Sequence, residues 1–415
     1  MSYSNGKHRS RVSNMPVLIA MAVLILMVVL VYYLQRTNLP TPGESVAGNL
    51  ECGAMLSGNV TLTGPLACAE KQTALMSEAD PEKVAALGIG GEDVVLDCAG
   101  NAIEGKEGVG LYLRNAKRVT VRNCRFSGFK VDLYADNVQA LRIEQGAFSG
   151  TERGVEVRGG SEIEVAGSVF EAPEAGAKWG VEIFDAKNVT VSSSRFAGYR
   201  LGAINFYGAR SFKAANNIIE KIGDTAIGLF AEKDGAPSGD GVLTGNSIHE
   251  ITTVSAFEIM HGAENISITK NRIGRAPNAL HIYDAKKQPN RYIHFTENHI
   301  DQVKRPFQLT WCSNLAIGNN EVERATGGVL ANIEHCENLL ITGNQFRMTY
   351  GAIEIGDAVD SINITDNDFT ESTPPVIRVN HEVKNLKLEP NEWGKCALYE
   401  HEQCIEYAQG VPRAE

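Results

Sequence analysis

Over the greater part of the chain, apolar and polar residues alternate. Asn265-Ile-Ser-Ile268 and Ser361-Ile-Asn-Ile-Thr365 show the pattern, and a second alternating stretch such as Ala279-Leu-His-Ile-Tyr283 follows each after a polar turn. A period of two predicts β-strands, and no segment of this region has the spacing of an amphipathic helix. Between the two strands stands a recurring phrase: AANNII, LTGNSI, ITKNRI, FTENHI, IGNNEV, ITGNQF, ITDNDF and LEPNEW. Its fourth residue is always asparagine (Asn217, Asn246, Asn271, Asn298, Asn320, Asn344, Asn367, Asn391), at spacings of 29, 25, 27, 22, 24, 23 and 24 residues. A repeat of this length predicts a solenoid whose units bury their apolar faces only against their neighbours.

Strands of consecutive coils stack in parallel at roughly 4.8 Å, so a recurring turn asparagine can bond side chain to side chain up the stack. On these residues the sequence resembles the right-handed parallel β-helix family with pectate-lyase-like repeats, over about three quarters of the chain. The resemblance implies an all-β, right-handed, single-stranded parallel β-helix spanning residues 93–393. The early coils place Cys124, Gly146, Ser168 and Ser194 where later ones use asparagine, so the ladder is expected to be absent from the first third.

The ends of the chain read differently. Residues 1–14 are polar and basic (Lys7, Arg9, Arg11), and Val17 to Leu34 is an unbroken apolar run of 18 residues. Such a run is long enough to cross a bilayer, and the positive charges ahead of it orient the amino terminus inward. The expectation is an uncleaved signal-anchor over 15–36 after a cytoplasmic tail, with 37–50 as linker. A cleaved signal peptide is the alternative, disfavoured by the length of the apolar run. The chain would then sit in the inner membrane as a single-pass protein, with the β-helix in the periplasm or outside the cell. Segment 51–92 reads as an amino-terminal cap with a helix over Asp80–Gly88, opened by Pro81 and closed by glycine. Residues 394–415 read as a carboxyl-terminal cap and tail.

Eight cysteines fall into local pairs: Cys52 with Cys68, Cys98 with Cys124, Cys312 with Cys336 and Cys396 with Cys404. Aligning Trp311-Cys-Ser-Asn-Leu315 with His335-Cys-Glu-Asn-Leu339 puts the third pair at one position of adjacent coils, one strand spacing apart, where a disulfide fits. No pair has zinc or redox-motif spacing, and together with the anchor they predict an oxidising compartment. The net charge of −11 argues against nucleic acid as a partner.

Aligning the strand after the asparagine turn separates an inward set, including Val181, Ile204, Ile227, Phe257, Leu280 and Phe307, from an outward one. Outward stand Glu156, Glu182, Asn205, Gly228, Glu258, His281, Gln308, Asn332, Glu354 and Arg378, beside Arg158, Phe184, Tyr207, Phe230, Met260, Tyr283, Thr310 and Glu334. Asp185, His261, Asp284, Trp311 and His335 close the strands. Aromatic rings beside amides and carboxylates suit an extended sugar chain, and the resemblance points to the same strand as the catalytic face. The expected substrate contacts are Glu182, Phe184, Asn205, Tyr207, Phe230, Gln308, Trp311 and Asn332. The densest titratable patch, Glu258, His261, His281, Tyr283 and Asp284, is the expected catalytic group. The alternative for its histidines and carboxylates is a divalent cation such as calcium; no cofactor is otherwise expected. The signatures of polygalacturonases and mannuronan epimerases are absent, so no subfamily's catalytic residues carry over. Three readings stay open: a polysaccharide lyase, epimerase or hydrolase acting on a cell-envelope or exported polysaccharide; a non-catalytic scaffold in polysaccharide export or biosynthesis; and a periplasmic accessory protein of metal maturation.

Overall fold

The computed structural model describes residues 46–47, 50–68, 85–173, 176–231, 235–284, 286–393, 404–409 and 411. All belong to the larger of two compact units, Ser45–Glu415. The expected anchor at 15–36, the tail before it, nearly all of the linker and Cys396 lie outside the described residues. Among the described residues no helix is long and apolar enough to cross a membrane.

The alternating stretches are strands, and all pair in parallel with the equivalent stretch one coil away. A representative coil runs Glu264–Thr269, turns at Asn271, continues as the short strand Arg272–Gly274 and returns along Asn278–Tyr283. These pair in register with Asn290–Thr296, His299–Asp301 and the first half of Arg305–Gly318. Twelve short strands form one sheet; the two longer strands of each coil form a second of 26. At Val131–Glu144, Arg153–Ala166, Arg305–Gly318 and Val329–Thr342 the returning strand runs on unbroken into the next coil, bent at a corner. Corner residues Asp185, His261, Trp311 and His335 have φ of 51°, 63°, 61° and 53°, a left-handed conformation that side-chain-bearing residues rarely adopt.

Inside, the inward set is fully buried. Phenylalanines stack up the interior, Phe126, Phe148, Phe170 and Phe196 having centroids 5.5, 4.7 and 4.6 Å apart. The asparagines form the expected ladder. Each Nδ2 donates to the Oδ1 one coil on at 2.9–3.0 Å, from Asn217 through Asn391. Each also donates to a carbonyl of the coil behind, so the buried amides are satisfied.

Three expectations change. The ladder does not stop at Asn217: the Ser194 N–H donates to Asn217 Oδ1, the Ser168 N–H to Ser194 Oγ and the Gly146 N–H to Ser168 Oγ. A hydroxyl supplies the one acceptor the turn requires. The helix expected through Gly88 is instead a strand, Ala85–Ile89, wholly buried between Ala54–Leu56 and Val109–Leu113; residues 80–84 lie outside the described residues. Coil stacking also begins within the segment read as a cap, since Ala54–Leu56, Val60–Thr61 and Leu66–Ala67 pair in parallel with strands of the following coil.

Disulfides join Cys52 to Cys68, Cys98 to Cys124 and Cys312 to Cys336, the last with Cα atoms 4.6 Å apart on in-register strands. Cys404 is also disulfide-bonded.

Candidate functional site

The outward side of the returning strands carries three columns, not two. Between Arg153 and Val155 the chain makes an irregular step: Gly154 faces the Phe170 ring of the core and Val155 is buried as well, so outward positions resume at Glu156. Arg153 and Trp179 therefore head a third column, in register with Gly202, Thr225, Ser255, Asn278 and Arg305. The middle column runs Glu156, Glu182, Asn205, Gly228, Glu258, His281, Gln308. The column on the other side begins Arg158, Phe184, Tyr207, Phe230.

Rings and cations form the two rims. Phe184, Tyr207 and Phe230 stack at 4.5 and 5.1 Å, with the Arg158 guanidinium 4.1 Å from the Phe184 ring. On the opposite rim Arg153 lies 4.6 Å from the Trp179 ring. Gly228 is required here, because a Cβ would fall 2.2 Å from the Phe230 ring, which lies across it.

At one end the middle column is buried, which its outward direction alone does not predict: Glu156, Glu182 and Asn205 are 5%, 2% and 3% exposed. Arg153 bridges the two carboxylates, its Nε 2.5 Å from Glu182 and 3.3 Å from Glu156, and Arg158 holds Glu156 at 2.7 Å. Burial pushes the Glu182 carboxyl up to about 7, outweighing the Arg153 contact, with the charge of Glu156 adding to the rise. The Tyr207 hydroxyl, which reaches Glu182, is pushed up by the same burial.

The expected catalytic patch separates into two pairs. Glu258 accepts a 2.8 Å bond from Thr225 Oγ1 and lies 3.4 Å from His281 Nδ1, on the floor of the strip. His261 Nδ1 lies 3.5 Å from Asp284 at the corner. Asp284 is buried and accepts from the Lys286 and Gln288 N–H groups, so it holds the turn as well as the histidine. Tyr283 is exposed, its ring 6.2 Å from that of His281. Trp311 stacks on His335 at 4.3 Å with Lys287 over it, and Asn332 donates to Glu334 at 3.1 Å. Gln308 accepts from Arg305.

Among the described residues, eight buried polar side-chain atoms lack a hydrogen-bond partner, and four of them lie on this strip: Asn205 Oδ1, Ser255 Oγ, His281 Nδ1 and Arg305 Nε. A fifth, His261 Nδ1, stands at its edge. The two histidine nitrogens face carboxylates at 3.4 and 3.5 Å, beyond hydrogen-bond reach, and Asn205 Oδ1 lies beneath Gly228 and the Phe230 ring. Arg153, Trp179, Thr225, Ser255 and Arg305 are the residues that sequence alternation misses. The signal for them is the double inward step at Gly154-Val155, repeated at Gly180-Val181 and Ala203-Ile204.

These features define a class: a parallel β-solenoid with an amide ladder inside and one polar–aromatic strip outside. A profile described as "Right handed beta helix region" matches residues 154–292, and one described as "Periplasmic copper-binding protein (NosD)" matches 238–388. The fold is a right-handed parallel β-helix, and the two profiles together span residues 154–388 of it. Among solved structures it is similar to PfbA, a surface adhesin of Streptococcus pneumoniae, at 11% identity over 75% of this chain and 83% of that one, with a TM-score of 0.45. It is similar to the catalytic unit of an α-1,3-glucanase from Streptomyces thermodiastaticus at 14% identity, over 83% of this chain and 65% of that one, with a TM-score of 0.42. No curated protein matches the sequence.

The copper-protein match raises the question of a metal. Among the described residues no group of three or more His, Cys, Asp or Glu side chains could hold one, and Cys312 and Cys336 are bonded to each other.

Proposed function

We propose that this is a periplasmic polysaccharide-binding protein that modifies the chain it holds, with Glu258 and His281 as the reacting pair. The observation that carries the reading is the row of partly exposed rings Phe184, Tyr207 and Phe230 on the same face as the reachable Glu258 and His281 pair. Sugar rings present both an apolar face and hydroxyls, and the strip offers a counterpart to each. Residues Glu182, Phe184, Asn205, Tyr207, Phe230, Gln308, Trp311 and Asn332 line the binding surface. Asp284, His261 and Tyr283 flank the reacting pair.

The chemistry rests on geometry. Glu258 is oriented by Thr225 and stands beside His281, whose side chain is 21% exposed and so reachable by a substrate. An imidazole in that position moves a proton to or from a bound sugar. The periplasmic location is supported by three disulfides in the described residues, which persist in oxidising compartments, and by the profile match over 238–388.

The test is incubation of the full chain with acidic and neutral bacterial polysaccharides. Ultraviolet absorbance of unsaturated ends reads a lyase, chain length a hydrolase and NMR of the recovered polymer an epimerase. Glu258→Gln and His281→Ala are each expected to lower the rate by about 100-fold. Binding without product, weakened by Tyr207→Ala, would leave the scaffold reading and remove the catalytic one.

A further inference from the structure

We infer that the strip selects a sugar bearing a carboxylate and that Arg305 is the residue that takes it; the inference rests on the polysaccharide reading above. The cations of this face differ in one respect. Arg153 is paired with Glu182 and Glu156, Arg158 with Glu156, Lys178 with Glu152, and Arg378 with Glu354 and Glu406. Arg305 has a neutral partner instead: its Nη1 donates to Gln308 Oε1, and its Nε has no partner. Among the described residues no carboxylate forms an ion pair with it.

The bond to Gln308 fixes where this charge sits. Arg305 continues the column of Ser255 and Asn278, and Gln308 that of Glu258 and His281, all in register. Reaching Gln308 brings the guanidinium to the middle column, one strand spacing, roughly 4.8 Å, beyond the coil of His281. The carboxylates of neighbouring coils are engaged elsewhere. Glu258, two coils back, accepts from Thr225 and stands beside His281, and Glu334, one coil on, accepts from Asn332. At the far edge of the same coil the exposed Lys287 lies over the Trp311 ring, 5.6 Å from its centre, so a second cation there also has a neutral partner.

Arg305 is half-buried, and a guanidinium taken partly out of water beside a neutral amide loses hydration without gaining a counter-charge. A carboxylate supplies that charge and matches the planar fork with two parallel N–H···O bonds, which a sugar hydroxyl does not. Arg305 is thus a selector beside the reacting pair, not a member of it.

Removing the charge from the polymer and from the protein separately tests this. The full chain is titrated by calorimetry with polygalacturonate and alginate, each native and carboxyl-reduced, and with dextran. At least one native polymer is expected to bind about tenfold more tightly than its reduced form. Arg305→Gln should abolish that preference while holding affinity for the reduced form within about twofold, and Arg305→Lys should keep part of it. Arg195→Gln, which deletes the same charge from the short-strand sheet, should leave the preference intact. Equal binding of native and reduced polymers, binding of dextran alone, or a preference that survives in Arg305→Gln would overturn the inference while the polysaccharide reading stands. Absence of binding to every polymer would overturn both.

Discussion

Two asparagines sum up two regions of this molecule. Asn298, in the ladder, is buried and uses its whole amide: Oδ1 accepts from the Asn271 N–H and Nδ2, while its own Nδ2 donates to Ile268 O and Asn320 Oδ1. Asn205, on the strip, is buried almost as deeply, yet its Oδ1 has no partner. Burial without satisfaction costs stability, and the fold retains that cost at Asn205 while avoiding it in a whole column of ladder asparagines. Satisfied amides hold the stack together; Asn205 lies beneath Gly228 on the outward face and holds nothing through its Oδ1.

The comparison breaks most visibly inside. Asn298→Ala strands donors and acceptors on both adjacent coils and is expected to cost roughly 3–5 kcal/mol in denaturant unfolding. A loss below about 1 kcal/mol would mean that the ladder is ornament, not support.

A smaller effect tests the strip's buried carboxyl. Glu182 has its folded pKa raised from 4.5 to about 7, so between those values the folded state keeps a proton that the unfolded chain has released. Stability thus falls as pH rises through this window and is flat above it, by on the order of 2 kcal/mol. Glu182→Gln removes that slope. The buried Asp132, which burial also pushes up, contributes with the same sign and remains in the variant. Urea midpoints measured from pH 4.5 to pH 7.5 compare the two proteins, and parallel curves would show that Glu182 is ionised throughout.

The smallest effect on stability is the sharpest on function. Asn205→Leu deletes an unpartnered acceptor in favour of an apolar group of similar size, so unfolding should shift by less than about 1 kcal/mol in either direction. Polysaccharide affinity should nevertheless drop about tenfold. Equal losses in both would place Asn205 with the ladder asparagines.

The solenoid was legible because its signals are local and repeated: strand alternation, the asparagine turn and the cysteine pair at Cys312 and Cys336 each recur one coil apart. Where a different side chain does the same job the signal vanished, as with Ser168 and Ser194, whose hydroxyls replace the asparagine Oδ1 without its pattern. The strand Ala85–Ile89 was misread as helix because cap residues and glycine are weak local preferences, overridden when five consecutive residues are buried between two other strands. The strip's position was legible and its depth was not. Strict alternation fails at Gly154-Val155, hiding the column of Arg153 and Trp179, and Glu156 and Glu182 are held by Arg153 and Arg158, which side-chain direction alone does not reveal.

The ladder also sets how such a chain can change over evolutionary time. Every rung from Asn246 to Asn367 makes the same bonds to the rung on either side, so removing or duplicating one whole repeat leaves two matching surfaces to close on each other. An insertion of a few residues is absorbed at a turn, as the 29-residue spacing between Asn217 and Asn246 illustrates beside the 22 between Asn298 and Asn320. Strip length thus changes in whole coils, and the span of the outward face is set in discrete steps without redesigning either end.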